Sequence, residues 1–360
     1  MKREYSLDIL KLIATTFIIF HHYQQLTGAF FENTINFSSG SFYWGYLVEL
    51  FFILSGYFMY SYSMKIDSTS SFFDFFKKKY LRFLPMLMIS GIACAILTFY
   101  IPEIKNFTFS YSAWNIISGI TGIGLWFSNN LIVNNPTWYI SVLLLCYVLF
   151  FAITFIAKKL SISATTAYAV TLFIAIQMHS IVTQYNICVP LFTSQIARGY
   201  ICFFEGLLLY RLFDYYKIHQ KKSCICFSWL IIISFVLLYI KNTSVLQDNL
   251  YFILCFLLFP SIILVFKSNL IVKLFDWSIF KDIGSISYNA FMWHIFVIAI
   301  IQSLPINKDS VNTMLLTTLF VYVMGIISYY FIDRIISGII KKRTSSWIST
   351  AHKKQVHSKF

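Results

Sequence analysis

The sequence predicts an all-α polytopic membrane protein with about ten transmembrane helices and both termini in the cytoplasm. Three observations carry that prediction. Of 360 residues, 58% are hydrophobic and only 12% charged, with a mean hydropathy of +0.72, a balance that no single soluble core would hide. Windows of ~20 residues find ten apolar stretches suited to a hydrocarbon layer. Lys and Arg collect in alternate loops, so the net charge of +14 sets topology rather than marking a nucleic-acid partner.

The stretches run approximately Leu7 to Leu26, Tyr43 to Tyr62, Phe83 to Ile101, Thr137 to Ala157, Ala164 to Val182, Gly199 to Phe213, Cys226 to Ile240, Leu250 to Phe266, Ser285 to Leu304 and Thr313 to Ile335. With Lys2 and Arg3 inside, the even-numbered spans end at Lys65 to Arg82, Lys158-Lys159, Arg211 to Lys222, Lys267 to Lys281 and Lys341-Lys342-Arg343. The opposite loops hold few basic residues: Lys105, Arg198, Lys241 and Lys308. Eleven spans would scramble this alternation. Trp114 to Phe127 is interrupted by Gly119, Gly122 and Gly124 and reads as interfacial or re-entrant. The first stretch is long and lacks a small-residue cleavage site, so it is expected to remain as a span. Residues 1–340 form one membrane domain, and 341–360 a basic cytoplasmic tail. The seven cysteines form neither a metal-type cluster nor a disulfide framework and read as packing residues.

Chemistry concentrates in a few positions. The first span carries Asp8, Lys11, His21 and His22, and ionisable groups in a span face a cavity or a partner helix. Lys11 and His22 share one helical stripe, about 16 Å apart along the axis. Glu49 is expected at a similar depth in the second span, as the carboxylate that orients His22 as a general base; a Glu-His pair that only locks two helices is the bland alternative. His21 points about 100° away and reads as interfacial. Ser55-Gly56 allows close approach of a backbone or ligand. Arg82, after Lys77 to Lys79 and ahead of Pro85, suits a phosphate clamp, although a positive-inside anchor explains the lysines. Trp138 follows Pro136 where the fourth span opens, and an interfacial anchor suffices to explain both. Glu205 faces a cavity or a basic partner. Ser287 and His294 share a face of the ninth span.

Together these segments resemble the acyltransferase-3 family, ten-span membrane enzymes that move acyl groups, usually acetyl, onto extracytoplasmic sugars. Lys11, ten residues, then His22 is similar to the family's Arg-ten-His signature, with Lys replacing Arg. VELFFILSGY, YLRFLP, PTWYIS, SISYNAFMWH and FIDR resemble further family motifs, in the family's order. Leu143 stands where members with a fused esterase-like domain often have Glu, which implies a stand-alone enzyme. The resemblance implies a plasma- or inner-membrane O-acetyltransferase of the cell envelope. Its donor is acetyl-CoA, with no metal, and its acceptor is a surface polysaccharide or lipid-linked glycan. It places catalysis on His22 and Glu49, donor binding on Lys11 and Arg82, and oxyanion or acceptor contacts on Ser287, His294, Trp138 and Ser55. An acyl-histidine intermediate is equally compatible with the residues. The alternative is a glycan exporter or flippase without transferase activity, since a polar cavity serves both.

Overall fold

A computed structural model describes residues 5–32, 35–38, 42–67, 69–100, 113–127, 133–240, 244–336 and 338. Lys2, Arg3, Lys105, Lys241 and the expected tail 341–360 lie outside the described residues. Within the described residues, each of the ten apolar stretches folds mainly as helix. The order is α1 (Tyr5–Thr27), α2 (Leu47–Ser63), α3 (Phe72–Tyr100), α4 (Ala113–Thr121), α5 (Gly124–Phe127), α6 (Trp138–Lys159), α7 (Ala164–Gln184), α8 (Ser194–Tyr210) and α9 (Lys222–Ile240). Then come α10 (Ser244–Ile253), α11 (Phe259–Phe266), α12 (Asn269–Phe275), α13 (Ile283–Ser303) and α14 (Val311–Ser328). Among the described residues the only extended pairing is an isolated bridge between Val189 and Phe192.

Among the described residues, seven helical stretches are long and apolar enough to cross a membrane. The other three predicted spans correspond to α1, which carries its charged and imidazole side chains, and to α2 and α8, at 17 residues each. The chain is therefore an all-α polytopic membrane protein. α3 starts eleven residues before the predicted span, because the Lys77 to Arg82 run is helical, and it continues through Pro85. Trp114 to Phe127 is indeed broken: Gly122 turns at φ +73° between α4 and α5, a backbone that favours glycine. Ser141 then anchors the second piece, accepting from Leu125 N at 3.1 Å while its carbonyl accepts from Trp126 Nε1 at 2.9 Å. All seven cysteines are free, and Cys94, Cys146, Cys202 and Cys255 are buried in the packing.

Helix contacts follow residue size. α2 lies on α8 through two glycines: a Cβ on Gly56 would meet the Phe203 carbonyl oxygen at 1.9 Å, and one on Gly206 would meet the Ile53 oxygen at 2.0 Å. Without hydrocarbon-to-water transfer to drive association between membrane helices, such close backbone packing holds the pair. Gly284 admits Asp8 of α1 against α13, and Gly325 of α14 admits Ala290 of α13. The contacts also fix direction. Glu49 meets Arg198 and Tyr60 stacks on Tyr210, so α2 and α8 run parallel. Thr15 meets Ser287 and His22 meets His294, so α1 and α13 run parallel too. α9 lies at the periphery, with Ser228 its one buried residue.

Candidate active site

Two centres form where α1, α2, α3, α6 and α13 converge. The first is a cavity of about 270 Å³. Its cationic end is made by Lys11 of α1 with Lys79 and Arg82 of α3, and Ser55 and Ser287 also line it. Lys11 Nζ sits 3.0 Å from Asp8 Oδ1 and 4.8 Å from the Phe58 ring centre. Lys79 Nζ lies 3.6 Å from the Tyr62 ring centre, a cation held on an aromatic face. Ser287 Oγ shares a hydrogen bond of 2.8 Å with Thr15 Oγ1, and Ser55 Oγ one of 3.1 Å with Tyr139 OH. Leu143 is also a wall residue.

The second centre is a pair of imidazoles. The rings of His22 and His294 stack with centroids 5.1 Å apart and planes at 30°. His294 is fully buried, and its Nδ1 is 2.6 Å from the Phe291 carbonyl oxygen. That oxygen only accepts, so Nδ1 carries the proton and Nε2 presents a lone pair. Nε2 has no hydrogen-bond partner among the described residues. His22 Nδ1 is 2.9 Å from Gln25 Oε1, and with the amide in that orientation Nδ1 donates and His22 Nε2 is the basic nitrogen. Phe291 joins the two centres: its ring lines the cavity and lies 5.4 Å from that of His294.

Expectations change at Glu49, Arg198 and Trp138. Glu49 does not orient His22. It is fully buried in an ion pair with Arg198, Oε1 accepting from Nε at 2.5 Å and also contacting Nη2, because the glycine crossing of α2 on α8 brings the two side chains face to face. Gln25, one turn along α1, takes the orienting place. His21 is fully buried in protein, its Nδ1 2.8 Å from the Phe37 carbonyl oxygen. The chain after α1 folds back over it, tied by Gln24 Nε2 to Asn36 Oδ1 at 2.7 Å and by Phe37 N to Gln24 Oε1. Arg198 is not a loop cation. It lies in the first turn and a half of α8, behind an N-cap at Thr193 whose Oγ1 accepts from Ile196 N at 3.3 Å.

Trp138 belongs to that ion pair rather than to either centre, with the Arg198 guanidinium 5.7 Å from its ring and 5.2 Å from that of Tyr46. Glu205 is buried with no Oε2 partner among the described residues, and it borders a lateral cavity between α7, α8, α9 and α11. In FIDR, Asp333 Oδ2 accepts from Asn289 Nδ2 at 3.3 Å. Sequence reasoning thus singled out Lys11, His22, Ser55, Arg82, Ser287 and His294, and Lys79 as part of the lysine run, but passed over Gln25, Tyr139 and Phe291. Gln25 was legible as a polar residue three positions after His22. The two aromatic residues carried no such signal in a chain that is 20% aromatic.

No curated protein and no solved structure shows significant similarity to this chain. The model of the acyltransferase-3 family, described as an acyltransferase domain, matches residues 4–334. That span includes both helices that carry the imidazoles and every wall of the cationic cavity, and the chain belongs to the acyltransferase-3 family.

Proposed function

We propose that this membrane acyltransferase moves an acyl group, acetyl in the simplest case, from cytosolic acyl-CoA to a hydroxyl of a surface polysaccharide or lipid-linked glycan. The observation that carries this reading is the junction of a three-cation cavity with a stacked pair of histidines through Phe291. Lys11, Lys79 and Arg82 match the phosphates of the donor, with Arg82 alone offering a bidentate fork. Ser55 and Ser287, further along the walls, offer hydroxyls to a pantetheine arm or thioester carbonyl. His22 Nε2 takes the proton of the acceptor hydroxyl as its oxygen attacks the thioester carbon. The C–S bond breaks, CoA leaves as thiolate, and the imidazolium returns the proton to that sulfur. His294, one ring away, shares or stabilises that charge.

The topology that goes with this reading has ten spans with both termini cytoplasmic, in the plasma or inner membrane, and the helix directions agree with its alternation. Alternation makes spans two and six parallel, and likewise spans one and nine, as α2 with α8 and α1 with α13 are.

The test is mass spectrometry of the surface glycan from cells with the wild-type gene, without it, and with His22→Ala. The expected result is loss of the acyl increment in the latter two strains, with the variant present in the membrane at normal level and its rate reduced by ~10²–10⁴. Modified glycan in the His22→Ala strain removes His22 as the base. An unmodified but less abundant glycan in the deletion strain points to export instead.

A further inference from the structure

The cavity ends in three aromatic rings. Phe51 comes from α2, Tyr139 from α6 and Phe291 from α13, and each pair of rings has its centroids 6.0 Å apart in an edge-to-face arrangement. That geometry is the favoured one for aromatic pairs. Each ring is the last wall residue on its helix, counted from the cationic end: α2 lines the cavity from Tyr62 to Phe51, α6 from Tyr147 to Tyr139, and α13 from Gly284 to Phe291. Beyond the rings lies the histidine pair, with Phe291 in ring contact with His294. The Tyr139 hydroxyl is held by Ser55 Oγ at 3.1 Å and by the Phe51 carbonyl oxygen at 3.4 Å, which ties the α6 ring to the α2 ring.

We propose that Phe51, Tyr139 and Phe291 form an aromatic ceiling that narrows the junction between the donor cavity and the histidine pair, stopping the acyl chain while leaving the thioester carbon within reach of an acceptor at His22, and so restricts transfer to short acyl groups. This inference rests on the donor reading above. A thioester entering from the cationic end meets the rings with its acyl carbons first. Each added methylene has to displace a ring from a cluster that three helices hold in place. Pockets of this kind discriminate by about tenfold or more per methylene. Phe51 is half-buried on its helix while Phe291 and Tyr139 are nearly closed off, so Phe51 is the ring most easily trimmed without disturbing the histidines.

The experiment uses the full chain in detergent, with acetyl-, butyryl- and hexanoyl-CoA as donors. Release of CoA thiol is measured, as is the thermal stabilisation that each donor confers. Wild type is expected to prefer acetyl over butyryl. Phe51→Ala and Phe291→Ala raise the butyryl-to-acetyl ratio about tenfold or more, whereas Tyr139→Phe, which keeps the ring, stays near the wild-type ratio. A variant that folds but releases no thiol is read by stabilisation, where butyryl-CoA is expected to match acetyl-CoA in either Ala variant and to fall short of it in wild type and Tyr139→Phe. An unchanged ratio in both Ala variants overturns the ceiling, as does a wild type indifferent to acyl length. A wild type that neither turns over nor is stabilised by any acyl-CoA overturns the donor reading itself, an outcome distinct from both.

Discussion

Gly56→Ala offers a prediction whose sign differs between sequence and structure. In an isolated helix the change gains about 0.8–1 kcal/mol, because alanine loses less backbone freedom than glycine. In the folded chain the new Cβ would lie 1.9 Å from the Phe203 carbonyl oxygen, whereas ordinary contact begins at 3.4 Å. α2 and α8 would have to part by about 1.5 Å, since a helix backbone on each side leaves no flexible side chain to yield. Overpacking costs about 1–3 kcal/mol. The upper end applies because the same displacement strains the Glu49–Arg198 pair at one end of the crossing and the Tyr57–Asp214 hydrogen bond at the other. The expected result is a fall of several degrees in Tm, measured by thermal unfolding in one detergent. Gly206→Ala should behave alike, since its Cβ would meet the Ile53 oxygen at 2.0 Å. Ser61→Ala on the same helix removes only a hydroxyl bonded to the Phe58 carbonyl and should change stability by about 0.5 kcal/mol or less. Acyl transfer should also fall in both glycine variants, because α2 carries Phe51 and Ser55 into the cavity. A Gly56→Ala protein as stable as wild type, or more stable, refutes the crossing.

Other consequences follow from single contacts. Glu49→Ala strands the Arg198 guanidinium and should cost about 3–5 kcal/mol in thermal unfolding, with the double variant Glu49→Leu, Arg198→Met recovering most of it; a double variant no better than the single one shows that the pair does more than lock helices. Arg82→Ala and Lys79→Ala should raise KM for acyl-CoA with kcat little changed, and the difference from wild type should shrink at high salt; a fall in kcat alone places these cations elsewhere in the reaction. Gln25→Leu keeps His22 but removes the acceptor at 2.9 Å from Nδ1, so kcat should fall while Gln25→Glu retains activity; equal loss in both variants argues against orientation of the ring.

The sequence alone determined the membrane class, the apolar segments that became helices, and the helical stripe from Lys11 to His22. Those features depend on composition and on periodicity along one segment, where hydrocarbon thickness and the helical repeat leave little freedom. Ser287 and His294 were legible for the same reason, seven residues apart on one face. Pairing between helices was not legible. The sequence paired Glu49 with His22 by depth alone, and only the glycine-mediated crossing of α2 and α8 gave it to Arg198. The burial of His21 needed a fold-back held by Gln24 and Asn36, twelve residues apart. The aromatic ceiling needed three helices to bring one ring each to a single point. Depth and period are local properties of a chain, whereas partner choice depends on which backbones can approach, and that is fixed by small residues far apart in sequence.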